Sequence, residues 1–168
     1  MAFETITYGF GEAKLGNPLV AASGAGLAAI LIGDDRGRLR RELGETLPEA
    51  ELVEDQAGLA EWIATVEQRV DAPNTGFDIP LDLRGSDIER AVWTALTHIP
   101  SGETVSYGAL AKSLPIAATA QEVGAACAAN RLAVVIPCHR VVKADGSISG
   151  YRWGVHRKRR LINLEGVA

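Results

Sequence analysis

The sequence predicts an α/β protein in two parts: a small sheet-plus-helix domain over residues 1–78, and a mainly helical domain with a helix-turn-helix over 79–168. Three observations carry this. Residues 3–32 alternate short β-like runs with Gly and Asn punctuation. The stretch DAPNTGFDIPLDLRG (71–85) holds two prolines and two glycines and little helical period, as a linker does. Beyond it the chain turns into a series of capped helical segments.

In the first part TITYGF, PLVAAS and LAAILIG read as hairpin strands, and Asp34 to Arg41 reads as a charged connector into a short helix around Leu39. From Glu51 to Val70, Leu59, Ile63, Val66 and Val70 recur at helical spacing with Trp62 alongside, which predicts one amphipathic helix covering the sheet. In the second part Ser86 and Glu89 form a capping-box pair that opens a helix carrying Ile88, Val92, Trp93 and Leu96, closed before Pro100. Ser106 caps YGALAKSL, Pro115 ends it, and Thr119 with Glu122 caps AQEVGAACAAN. Two short helices, the second rich in small residues such as Gly124 and Ala128, outline a helix-turn-helix. Such residues let a helix approach a nucleic-acid backbone or a neighbouring helix equally well. A last basic helix is expected from about Val155 to Leu164.

The 168 residues are 47% hydrophobic and 23% charged, a globular composition. No apolar run approaches the roughly 20 residues that span a bilayer, and Met1-Ala2-Phe3-Glu4 lacks the order of a secretory signal. A cytoplasmic protein with no membrane partner is expected. Two cysteines, Cys127 and Cys138, fit a reducing compartment, and the spacing of Cys and His offers no metal site. Residues 131–168 carry eight Lys/Arg against two Asp/Glu, while the remainder carries nine against nineteen. A basic tail on an acidic body reads as a face for phosphates, or as the solvated end of a basic helix.

The chemistry concentrates in AVVIPCHRVV (133–142), where a thiol, an imidazole and a guanidinium interrupt an apolar run that otherwise reads as a buried strand. A lone buried cysteine is commonly inert. His139, Arg140 and a helix N-terminus are the kinds of groups that lower a thiol pKa. Adjacent strand residues face opposite ways, so Cys138 and His139 would not meet on a regular strand; Pro137 breaks it and leaves room for a bend or a bridging water. A carboxylate orienting His139 would complete a relay, and downstream only Asp145 and Glu165 are acidic. Cys127 reads as packing, Trp93 as a core anchor, and Trp153 as either a pocket rim or a hydrophobic plug. His98 and His156 read as surface residues.

IPSGETVSYGALA together with CAANRLAVVIPCHRVVKADGSISGYRWGVHRKRRLI resembles the O6-alkylguanine-DNA alkyltransferases, with a weaker likeness at LVA, ILIGDD and PLDLRG. The resemblance implies an RNase H-like first domain and a winged-helix-like second one. It implies that Cys138 accepts the alkyl group, that His139 acts as base through a water, and that Glu165 orients His139. Asn130 would brace the active-site turn, and Tyr107 would help rotate the target phosphate and donate toward the leaving guanine. Pro137, Val141, Ser149, Gly150 and Tyr151 would line the pocket. Ser106, Gln121, Gly124, Ala128 and Arg140 would face DNA, entered from the minor groove. The family carries an arginine nine residues before this asparagine, and Gln121 stands there, without the cation or the planar stacking fork.

The expected function is then direct-reversal repair of O6-alkylguanine, and of O4-alkylthymine, in double-stranded DNA, by a single-use monomeric methyltransferase with no cofactor. Two rivals stand beside it. An alkyltransferase-like module would recognise the lesion without transfer, and such proteins lack the cysteine. A cysteine hydrolase would bring its histidine from far along the chain rather than from the next residue.

Overall fold

The computed structural model describes residues 3–166. Three consecutive antiparallel strands, β1 (Glu4–Phe10), β2 (Asn17–Ser23) and β3 (Gly26–Gly33), form the expected meander. Helix α1 (Arg36–Thr46) crosses over to β4 (Ala50–Glu54), which pairs parallel to β1, giving the order β3-β2-β1-β4. Asp35 starts α1 by accepting the Arg38 amide at 2.8 Å, and Leu39 and Leu43 give the helix its buried stripe. α2 (Ala60–Asp71) packs on β1 and β2 through Ile63, Val66 and Val70.

The helix expected from Glu51 therefore begins only at Ala60. β4 leaves Glu51, Val53 and Glu54 exposed, so it holds its place by backbone pairing with β1 and not by burial. A polar edge strand of this kind leaves no hydrophobic period to read. β2 and β3, by contrast, are apolar on both faces: Leu19, Val20, Ala21, Ala29, Ile30 and Leu31 are all fully buried.

The second half is helical as expected. α3 (Asp87–Leu96) opens on the Ser86/Glu89 capping box. β5 (Val105–Ser106) leads into α4 (Tyr107–Ser113), capped by Ser106, and α5 (Ala120–Ala128) opens on the Thr119/Glu122 capping box. Trp93 ties α3 to α5, its Nε1 donating to the Ala126 carbonyl at 2.9 Å, so it anchors the core. β6 (Val141–Val142) pairs parallel with β5, and α6 (Val155–Leu164) closes the chain. Among the described residues no helix is long and apolar enough to cross a membrane.

The outer edge of β3 is where the two halves meet. At one end the 71–85 stretch fastens to it: Leu27 N–H donates to the Pro80 carbonyl at 2.9 Å and Asp82 N–H to the Leu27 carbonyl at 2.7 Å. Three residues along, Ile30 N–H donates to the Arg131 carbonyl at 2.7 Å, and Ala133 N–H returns to the Ile30 carbonyl at 3.0 Å. The edge strand is thus paired and covered, and one continuous hydrophobic cluster runs through both halves.

Gly26 makes the first of these joints possible. Its φ of +144° is open to glycine, and a Cβ there would lie 2.3 Å from the Pro80 carbonyl oxygen. Gly26→Ala is expected to cost about 1–3 kcal/mol. A lowered urea midpoint followed by tryptophan fluorescence is the measurement; an unchanged midpoint would show that the joint yields freely.

Candidate active site

The run Leu132–Ile136 does not continue as a strand. After the single bridge to Ile30 it coils through tight turns: Val135 N–H donates to Ala133, Ile136 N–H to Leu132 and Cys138 N–H to Ile136, and Val134 sits at φ +67°. A β-branched residue in the left-handed region is costly and persists only where its surroundings fix it. Asn130 does the fixing. Its side chain, 1% exposed, accepts the Leu132 amide at 2.9 Å and donates to the Ile136 carbonyl at 3.0 Å and to Cys138 Sγ at 3.3 Å. Pro137 then leads into a single 3₁₀ turn, Cys138–Arg140. The apolar residues pattern as a strand because they are buried, and Asn130 supplies the hydrogen bonds that a neighbouring strand would have given.

His139 is fully buried, and its Nε2 lies 2.5 Å from Glu165 Oε1 at the end of α6. Nδ1 is buried with no hydrogen-bond partner among the described residues. Burial lowers the imidazole pKa, and Glu165 opposes only part of that, so the ring is neutral near pH 7. A neutral ring bonded to a carboxylate carries its proton on Nε2, which leaves the Nδ1 lone pair free to accept one. Burial alone would raise the Glu165 carboxyl, but the hydrogen bonds from His139 and Arg140 outweigh it and hold it down at about 2.

Cys138 is 3% exposed, and burial pushes its thiol up to about 11 against the smaller opposing effects of the Asn130 amide and the Lys158 ammonium. The resting group is a thiol. Arg140, expected to help ionise it and to face DNA, does neither. Its guanidinium is spent on Glu165 at 2.6 Å, the Ile99 carbonyl at 2.6 Å and the Pro73 carbonyl at 3.3 Å.

A cavity of about 380 Å³ opens over Cys138, lined by Tyr107, Gly124, Cys127, Ala128, Gly150, Tyr151 and Arg152 as well. This falls within the roughly 300–1,000 Å³ usual for small-molecule sites. Tyr107, half-buried at the start of α4, hydrogen-bonds Ser149 from the loop after β6. The Tyr151 hydroxyl is buried without a partner among the described residues. Gln121 and Ala128 are exposed on α5, while Gly124 turns toward the Tyr107 ring. Of the residues expected to line the pocket, Gly150 and Tyr151 do so, whereas Pro137 and Val141 are buried outside the lining and Ser149 reaches it only through its hydrogen bond to Tyr107.

Three residues take a larger part in the site than the sequence reading assigns them. Cys127, read as packing, is buried yet forms part of the cavity wall, and burial pushes its thiol up to about 12. Arg152 donates to the Asn130 carbonyl at 2.5 Å and to Thr46 Oγ1 at 3.4 Å. Lys158 is 1% exposed beneath the 149–151 loop. Its burial is legible after the fact, since Leu161 and Ile162 stand three and four residues on and share its helix face. Trp153 is buried at 5%, a plug more than a rim, and His98 and His156 are exposed. No group of three His, Cys, Asp or Glu suited to a metal ion occurs among the described residues.

The fold and site define an α/β protein in which a buried Cys–His–Glu arrangement sits beside a helix pair. Residues 87–167 match the family described as 6-O-methylguanine DNA methyltransferase, DNA binding domain. The chain is 46% identical over 164 residues to the bifunctional transcriptional activator/DNA repair enzyme Ada of Escherichia coli K12, covering 95% of this chain and 45% of Ada. It spans about half the length of the curated relatives it matches. The crystal structure of the Mycobacterium tuberculosis O6-methylguanine methyltransferase superposes with a TM-score of 0.77 at 30% identity, covering 96% of this chain and 93% of that one. The M. tuberculosis OGT solved in complex with DNA does so with 0.77 at 33%, covering 95% and 92%. The chain belongs to the O6-methylguanine-DNA methyltransferase family.

The Glu165 carboxylate ties acid stability to the site. Its pKa is depressed from 4.5 to about 2, so its stabilising effect is complete above 4.5 and disappears as pH falls through 2. Native protein should lose roughly 3 kcal/mol of stability across that window from this group, and Glu165→Gln should not show the loss. Urea unfolding at several pH values reads it; parallel pH profiles for the two proteins would overturn the assignment.

Proposed function

We propose that the chain repairs O6-alkylguanine, and O4-alkylthymine, in double-stranded DNA by transferring the alkyl group irreversibly to Cys138, acting once per molecule and without a cofactor. The observation that carries this is the placement of Cys138 at a cavity of small-molecule-site size, next in sequence to a neutral His139 whose Nε2 is held by Glu165 and whose Nδ1 has no partner among the described residues. With the thiol near 11, only roughly one part in ten thousand is thiolate at pH 7, so proton removal has to accompany the reaction. His139 Nδ1 takes that proton, through one bridging water. The thiolate attacks the alkyl carbon in line, the bond to O6 breaks, and Tyr107 donates toward the departing base. A base inside a duplex is unreachable from behind its alkyl group, so the nucleotide must be rotated into the cavity, at a cost of a few kcal/mol.

Several features support the finer parts of this reading. Exposed Gln121 and Ala128 on α5, and Ser106 capping the neighbouring α4, support approach to the minor groove by this helix pair. α3, α4 and α5 with the β5–β6 ladder fit a winged-helix-like unit over 79–168 in which α4 and α5 are the helix-turn-helix. The meander followed by parallel β4 fits an RNase H-like unit over 1–78 that buttresses the cysteine turn. A thiol that must stay reduced suits the cytoplasm, and nothing in the reaction calls for more than one copy of the chain.

Intact-mass measurement after mixing with duplex DNA containing O6-methylguanine should show one added methyl group per protein, absent in Cys138→Ala. Tight binding with no mass change would overturn transfer in favour of lesion recognition, and turnover of a small ester would favour a hydrolase. Gln121→Arg should tighten binding to methylated duplex and speed transfer several-fold; equal Kd and rate would show that this position is not limiting.

A further inference from the structure

Lys158 is the largest side chain among the fully buried residues, and no carboxylate pairs with it among the described residues. A buried ammonium without a counterion is costly unless its three protons are all engaged. Here they are: Nζ donates to the Val141 carbonyl at 2.6 Å, to Ser149 Oγ at 2.9 Å and to the Gly150 carbonyl at 3.3 Å. The ionisable groups facing it are Tyr107 on α4, whose ring centroid lies 6.0 Å away, Cys127 on α5 and Cys138 in the 3₁₀ turn.

An ammonium can only donate, which gives the chain of hydroxyls beyond it a direction. Ser149 Oγ accepts from Lys158, so its own proton is available to Tyr107 Oη, the other group within hydrogen-bond reach. A Tyr107 oxygen that accepts from Ser149 has its phenolic proton free to point into the cavity it lines. We infer that Lys158 is a positioning residue that orients the Ser149–Tyr107 pair as a one-way proton path to the leaving base. This rests on the transfer reaction proposed above.

The balance is complete. As Cys138 Sγ bonds to the alkyl carbon, the C–O6 electron pair goes to guanine. Tyr107 gives its proton to that base, Ser149 gives its proton to Tyr107 Oη, and Lys158 gives one to Ser149 Oγ and ends as a neutral amine. The proton removed from the thiol resides on His139 and is exchanged with solvent afterwards. Burial already lowers the Lys158 pKa, which makes the neutral amine an accessible product.

The test compares two alkylations of Cys138 under single-turnover conditions: methyl transfer from O6-methylguanine duplex, whose leaving base needs a proton, and reaction with iodoacetamide, whose iodide does not. Changes in thiol reactivity affect both and divide out in the ratio. Lys158→Met and Ser149→Ala should each lower the ratio at least tenfold while the Kd for the same duplex stays within twofold. Ser149→Ala keeps the cation and carries the test if Lys158→Met fails to fold. A ratio unchanged in Ser149→Ala, or one that falls only with a matching loss of DNA affinity, would overturn the inference. Failure of the native protein to transfer methyl at all would instead overturn the function proposed above.

Discussion

The geometry of this protein depends on the Asn130 side-chain amide. Between the end of α5 and the 3₁₀ turn, seven residues (131–137) must reverse direction inside the core, where every unpaired backbone group is expensive. One amide meets the need on both sides, accepting from Leu132 and donating to Ile136, and its second proton reaches the sulfur it has placed. Arg152 fixes the Asn130 carbonyl in turn, and the outer edge of β3 holds the start of the turn at Ile30. The N-terminal sheet contributes no side chain to the cavity over Cys138, yet its edge is the rigid rail against which the cysteine turn is built. That connection gives residues 1–78 a role that their lack of reactive groups would not suggest.

The elements that could be read from the sequence are those whose signals are local. Capping pairs at Ser86/Glu89 and Thr119/Glu122 and the cap at Ser106 each sit where the side chain meets a backbone donor three residues on. The meander was legible because its strands are apolar and punctuated. β4 was not, since an edge strand with exposed Glu51, Val53 and Glu54 is defined by a partner forty-six residues away. The Cys138–His139–Glu165 grouping needed the family likeness for its third member. Two acidic residues lie downstream of His139, and only the return of α6 brings Glu165 and not Asp145 beside it.

The charge pattern was the least reliable guide. Of the eight cations after residue 130, Arg140, Arg157 and Lys158 are buried and work inside the protein. Arg140 neutralises Glu165, and Arg157 links α6 to the first half through the Leu15 carbonyl at 2.8 Å and Asp34 at 3.0 Å. A basic run on a helix is read as a solvated face unless the apolar residues three and four positions on are counted with it. That count marks Lys158, followed by Leu161 and Ile162, as inward-facing; it does not separate buried Arg157 from exposed Arg159 and Arg160, each of which has a single apolar residue at those positions.

The depth of Cys138 also bears on its lifetime. A thiol kept protonated by burial is a poor target for peroxides and stray electrophiles, which consume the anionic form. If each molecule can be used only once, premature damage is as final as repair, and a permanently ionised sulfur would be lost to the wrong reagent. On the single-use reaction proposed above, a thiol that stays protonated until a nucleotide enters the cleft would spare the protein from being consumed early.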